Sequence, residues 1–194
     1  MKETRHSLGT RMLHMGVALA IMWQLGVSLV MQGPGQNSFG DALFQTHQWV
    51  GIASLTLLVL FWLNLALRSS GSAPGALFPG ASRARRAALA QDAAQHGRSL
   101  LRFRLPQFSD VSPLASAVHG LGLLLMTLMA GTGFVWWLIG PSGLGGTILE
   151  VHKLFANLAW VYLIAHAGLA VVHHVRREAS LSEMWSLRAG KQGD

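Results

Sequence analysis

Residues 147–175 read TILEVHKLFANLAWVYLIAHAGLAVVHHV, an apolar stretch with two histidines fourteen positions apart, His152 and His166. On an α-helix, this spacing leaves the two imidazoles only about 40° apart around the axis and about 21 Å apart along it. One helix therefore offers two ligand side chains on one face, at two depths. Histidines inside a membrane are costly and usually functional, so we expect partners for them on the other apolar stretches.

The chain contains four apolar stretches that are long enough to cross a bilayer. Of its 194 residues, 51% are hydrophobic and only 12% are charged. About 20 apolar residues cross the hydrocarbon core, and such a segment is helical because lipid cannot satisfy backbone polar groups. The sequence therefore predicts an all-α integral membrane protein, a four-helix bundle that forms one domain over residues 1–194. The predicted spans are 12–31, 46–67, 114–139 and 147–175.

The positions of the cations predict the topology. The formal net charge is +7, and fourteen of the fifteen Lys and Arg residues lie before the first span, between the second and third spans, or after the fourth. By the positive-inside rule, both termini and the 69–110 loop are cytoplasmic. Topology thus accounts for the basic composition, and we expect no nucleic-acid partner. Within the loop, Ser69 to Ser82 is predicted to be a flexible tether, and Arg83 to Phe103 is either a short basic helix or a solvated loop that only sets the topology.

The first two spans hold one histidine each, His14 and His47. Because successive spans run in opposite directions, His14 lies at the depth of His166 near the cytoplasmic face, and His47 lies at the depth of His152 near the outer face. Two neutral imidazoles can fill both axial positions of one haem iron. The chain has no cysteine, which excludes thioether-linked haem and thiolate-bound clusters. The sequence therefore predicts two b-type haems, one between His47 and His152 and one between His14 and His166.

Several neighbouring residues are further candidates, each with a plainer alternative. His119 lies at about the level of His14, so it is a rival ligand or a proton or hydrogen-bond partner for quinone. Arg11 could pair with a haem propionate or serve only as a topology signal. Gly51, one turn after His47, could let a flat porphyrin approach the helix, or could reflect ordinary small-residue packing. Three tryptophans are predicted to lie in an interfacial aromatic belt on the outer side, namely Trp49, Trp136 and Trp137.

These motifs together resemble a known family. The fourth span has H-x13-H followed by an HH pair, and the other spans have R-x-x-H, H-x3-G and a histidine fourteen residues before a glycine. The set is similar to the bacterial cytochrome b561 family and to the b-type cytochrome subunits of nickel–iron hydrogenase and formate dehydrogenase. The resemblance implies a four-helix bundle with two b haems ligated from the first, second and fourth spans, which favours His14 over His119. The resemblance also implies a location in the bacterial inner membrane. The chain departs from the family at Met15, where Trp is common, and around Phe61, where apolar residues stand in place of a common Arg, with Asn64 nearby.

Transmembrane electron transfer is the leading functional hypothesis, between a periplasmic redox protein and membrane quinone, as in a respiratory chain. The alternatives are a superoxide:quinone oxidoreductase and a haem-free proton or metal transporter that uses the same histidines. The predicted outer surface carries Asp41 and Glu150 against the single Lys153, so it should not steer an anionic substrate. Membrane lipid is an expected partner, and a homodimer is a candidate assembly.

Overall fold

The computed structural model describes residues 7–35, 40–67, 74–103, 112–176 and 185. Within these ranges the regular elements are helical and no strand occurs, which confirms the predicted all-α class. A 3₁₀ turn, Pro79–Ala81, lies between the third and fourth α-helices. The α-helices are α1 (Leu8–Ser28), α2 (Ala42–Leu67), α3 (Pro74–Leu77), α4 (Arg83–Leu101), α5 (Pro113–Ile139) and α6 (Leu144–Val175).

Capping side chains set the helix starts, and they lie before the predicted spans. The backbone N–H of Thr10 donates to Ser7 Oγ at 3.2 Å, and that of Phe44 donates to Asp41 Oδ1 at 2.7 Å. Such caps satisfy first-turn donors that have no partner within the helix. Helices α1 and α2 therefore begin at residues 8 and 42, not at 12 and 46, because apolar composition marks the lipid-facing part of a helix rather than its start.

Three of the described helices are long and apolar enough to cross a membrane: α2, α5 and α6. This confirms a membrane protein. Helix α1 has 21 residues but is not among the three, since Arg11, His14 and Gln24 lower its hydropathy. The fourth span and the cytoplasmic location of both termini therefore stay predictions.

Four long helices form the bundle, namely α1, α2, α5 and α6. They pack in chain order, with α1 on α2, α2 on α5 and α5 on α6. Each contributes one buried residue to a single core cluster: Leu25, Leu58, Met126 and Ala159. Large apolar side chains such as Ile164, at 67% exposure, cover the outward faces. Extensive exposed apolar surface marks a membrane-contacting face, so the core and the lipid-facing surface are both apolar.

The predicted flexible tether is wrong for residues 74–81, which contain α3 and the 3₁₀ turn. The ring of Phe78 stacks on Trp62, with centroids 5.6 Å apart and an interplanar angle of 16°. A Cβ at Gly120 would collide with the carbonyl oxygen of Leu77, so the missing side chain allows this segment to approach α5. Residues 69–73 lie outside the described ranges.

The predicted basic helix is confirmed as α4. Asp92 joins it to the start of α5, since its Oδ2 accepts from Ser112 Oγ at 2.6 Å and from the Leu114 N–H at 3.0 Å. These hydrogen bonds, that of Ser112 above all, hold the pKa of Asp92 below its ordinary value. The loop between the second and third long helices is thus tied to the bundle by a charge-assisted contact.

Candidate functional site

His47 on α2 and His152 on α6 face each other near the end of the bundle where α5 passes into α6. Their ring centroids are 6.3 Å apart and the rings are nearly perpendicular, at 88°. Metal–imidazole bonds are about 2 Å long, and a ring centroid lies about 1 Å beyond its nitrogen. Imidazoles on opposite sides of one metal ion therefore have centroids about 6 Å apart. The observed separation leaves room for one iron between the rings.

Both histidines line a cavity of about 650 Å³ inside the bundle. Its volume lies within the range of roughly 300–1,000 Å³ found for small-molecule and cofactor sites. Gly51 and Gly133 form part of the wall, and Trp136 lines it as well. Two glycines and an aromatic ring therefore line the cavity next to the candidate ligands.

Three buried polar atoms of the cavity wall have no hydrogen-bond partner among the described residues: Gln24 Oε1, His47 Nδ1 and Trp136 Nε1. Buried polar groups are nearly always hydrogen-bonded, and an unsatisfied one costs about 1–3 kcal/mol. The wall thus offers polar atoms to a bound group that is apolar over most of its surface. A b-type haem, with its apolar ring and two carboxylates, fits this combination.

Trp136 is not part of an interfacial belt, contrary to the prediction for the three tryptophans. It is only 8% exposed, and its ring meets the edge of Phe44 at a centroid distance of 5.8 Å. Trp49 and Trp137 are exposed and lie 6.5 Å apart, as a belt requires. Helical phase explains the difference, because adjacent residues 136 and 137 point about 100° apart.

Gly51 has a neighbour that the sequence did not indicate. The side-chain amide of Gln24 donates to the carbonyl oxygen of His47 at 2.9 Å, and a Cβ at Gly51 would come within 2.9 Å of the Gln24 Nε2 atom. The missing side chain therefore makes room for Gln24 between α1 and α2. A polar residue in an apolar stretch was the available signal for Gln24, and the cofactor-binding role of Gly51 stays a prediction.

His14 on α1 and His166 on α6 form the second pair, with ring centroids 6.4 Å apart. The rival ligand, His119 on α5, lies 5.2 Å from His166. This second separation is shorter than the roughly 6 Å expected across a shared metal ion. The distances therefore favour His14 over His119 as the residue opposite His166, while ligation itself stays a prediction.

Two further aromatic rings surround the inner pair. Tyr162 stacks on His166 at a centroid distance of 5.4 Å with an interplanar angle of 7°, and Trp185 meets His14 edge-on at 6.5 Å. Tyr162 precedes His166 by four residues, so the two side chains lie on one face of α6. This spacing is the signal in the sequence for their contact. A stacked ring restricts the rotation of the His166 imidazole, which is useful for a ligand.

Arg11 lies one turn before His14 and is buried, at 2% exposure. Arginine is seldom buried unless it is paired, so its position favours a role inside the bundle over a simple topology signal. Beside it, Thr10 Oγ1 donates to Asn64 Oδ1 at 3.0 Å. A pairing of Arg11 with a haem propionate stays a prediction.

Helix α6 is continuous from Leu144 to Val175, so it carries both pairs at fixed separation. His152 and His166 are about 21 Å apart along its axis. The two histidine pairs therefore lie at two levels of the bundle, and haem binding at each level stays a prediction.

A family model described as prokaryotic cytochrome b561 matches residues 5–187 of the chain. The match spans all four histidines of the two pairs and every long helix. No curated protein and no solved structure matches the chain. The chain belongs to the prokaryotic cytochrome b561 family.

Proposed function

We propose that this protein is a di-haem b-type cytochrome of the bacterial inner membrane that passes electrons between a periplasmic redox partner and membrane quinone. Family membership makes it a membrane b-type cytochrome of transmembrane electron transfer that binds haem b. Each haem, when bound, supplies an iron that gains and loses one electron. The observation that carries the proposal of two haems is the pair of imidazole separations, 6.3 Å and 6.4 Å.

The four histidines hold the two cofactors in this proposal. His47 and His152 would hold the outer haem, and His14 and His166 would hold the inner haem. Because two protein side chains would bind each iron, no substrate atom needs to bind the metal. This ligand set suits electron transfer, in which no bond is made at the iron, better than it suits oxygen activation.

The proposal includes α1 as a fourth span, with both termini cytoplasmic. Helix α1 packs along α2 and contributes Leu25 to the core cluster, as a bundle member does. Its 21 residues extend over about 31 Å, which matches the hydrocarbon core of about 30 Å. The polar side chains that lower its hydropathy include His14 and Gln24. His14 lies beside His166 in the inner pair, and Gln24 lines the outer cavity.

His119 supports quinone as the partner of the inner site. It is exposed on the bundle surface, and its ring lies 5.2 Å from that of His166. Because the neighbouring faces are apolar, a lipid-soluble quinone can reach this surface from the membrane. His119 is then a hydrogen-bond or proton partner for the quinone head group, beside the inner site rather than within it.

Superoxide oxidation is the second candidate, and the outer charges count against it. Lys153 pairs with Glu150 at 2.9 Å, and Asp41 adds a further negative charge at the start of α2. Steering of an anion requires a field of positive sign. These groups leave little positive charge near the mouth of the outer cavity.

The two candidates differ in how electrons enter the purified protein. We expect quinol to reduce it at a rate that does not depend on ionic strength. We expect superoxide to react far below the roughly 10⁸–10⁹ M⁻¹s⁻¹ of steered encounters, without slowing as salt is added. Stopped-flow reduction at several ionic strengths checks both, and Lys153→Gln should leave both rates unchanged. A fast superoxide rate that falls steeply with salt would instead make superoxide oxidation the function.

A further inference from the structure

Thr132 on α5 contacts one edge of the His152 ring on α6. Its Oγ1 lies 3.0 Å from Nδ1 of His152. The next residue, Gly133, lies against the same edge, because a Cβ there would come within 3.2 Å of Cε1 and 3.6 Å of Nδ1. The Nδ1 edge of His152 therefore faces α5, and Nε2 is on the opposite side of the ring.

The surrounding acceptors assign the protons. Thr132 Oγ1 lies 2.8 Å from the carbonyl oxygen of Leu128 and 3.0 Å from that of Met129. Carbonyl oxygens only accept, and both lie within reach of the single hydroxyl proton of Thr132. With that proton directed to either carbonyl, the hydroxyl oxygen is an acceptor for an N–H at Nδ1 of His152.

We propose that Thr132 is a positioning residue of the outer site, which holds the Nδ1–H of His152 and so reserves Nε2 for axial coordination. A neutral imidazole carries one proton, so a proton fixed on Nδ1 leaves a lone pair on Nε2. This inference rests on the proposed function, since it takes His152 as a haem ligand. Ligand histidines usually donate their second N–H to such a partner, which fixes the ring and makes it a stronger electron donor.

The hydrogen bond at Nδ1 of His152 makes that imidazole a stronger electron donor. A stronger donor favours the oxidised iron, so loss of the Thr132 hydroxyl should raise the midpoint potential of the outer haem.

The test is a redox titration of the purified holoprotein, followed at the reduced α-band, for Thr132→Val and Thr132→Ser. The hydrogen bond stabilises the oxidised and reduced states unequally, by part of its strength. The valine variant should therefore shift the outer oxidised-to-reduced equilibrium about twofold to fivefold, or about 20–40 mV at 59 mV per tenfold. His166→Ala, which should retain only the outer haem, identifies the outer midpoint. The serine variant keeps a hydroxyl, so its outer midpoint should equal that of the wild-type protein.

Thr127→Val is the matched control, because the Thr127 hydroxyl lies on the same helix but accepts from Trp62 at 3.0 Å. It should leave both midpoints unchanged. Loss of the outer haem from Thr132→Val that Thr132→Ser restores also supports the proposal. Two bound haems with unshifted midpoints in Thr132→Val overturn it, and so does an equal change in Thr132→Ser. Wild-type protein without an outer haem would instead contradict the proposed function itself.

Discussion

His47→Ala is expected to leave the purified protein with one haem per chain instead of two. The substitution removes one of the two imidazoles of the outer pair, whose rings are 6.3 Å apart, and enlarges a cavity that already measures about 650 Å³. The inner pair should keep its haem, because about 21 Å of α6 separates His152 from His166. Pyridine haemochrome analysis and the amplitude of the reduced α-band measure the loss.

His96→Ala serves as the control for this variant. His96 lies on α4, contacts Asp92 at 3.1 Å and is not among the residues that line the outer cavity, so its loss should leave two haems. Loss of both haems from His47→Ala, in protein whose helix content is unchanged by circular dichroism, would show that the pairing by depth is wrong.

His166→Ala is expected to have the complementary effect, with loss of the inner haem and retention of the outer one. His119→Ala should retain both, because its ring lies too close to His166, at 5.2 Å, to share a metal ion with it. Haem content and the α-band maximum of each variant provide the measurement. If His14→Ala kept the inner haem and His119→Ala lost it, the inner ligand would belong to α5.

The predictions for His47→Ala and His166→Ala depend on a pairing of histidines that the sequence alone predicts. The fourteen-residue interval between His152 and His166 specifies both a common face and a separation, because helix geometry is nearly invariant. Alternating span direction then assigns His47 and His14 to opposite depths. The 6.3 Å and 6.4 Å separations in the structure agree with this pairing, and haem ligation stays a prediction.

Other features depend on local contacts that apolar composition does not encode. The helix starts follow capping hydrogen bonds at Ser7 and Asp41. The Gly- and Pro-rich composition of residues 74–81 predicts a flexible tether, yet the ring of Phe78 stacks on Trp62 of α2. Such a contact joins positions that are distant in sequence, so a single sequence gives no direct sign of it.

The contacts of the residues around the outer ligands also could not be predicted from the sequence pattern. Gln24 and Thr132 act through hydrogen bonds between neighbouring helices, which require the relative rotation of the helices to be known. Trp136 differs from Trp137 only by its phase on α5, and a one-residue step decides whether a ring is buried or exposed. Which side chains are buried within the bundle could therefore be learned only from the structure, whereas the depth of each histidine along its helix could be predicted from the sequence.

The number of haems per chain tests the central claim most directly. The measurement is pyridine haemochrome absorbance of wild-type protein, produced with ample haem supply and purified in mild detergent, divided by chain concentration from amino-acid analysis. Two histidine pairs at two depths predict two non-covalently bound b haems per chain. A value of one, or of zero, in folded protein would contradict the two-site account.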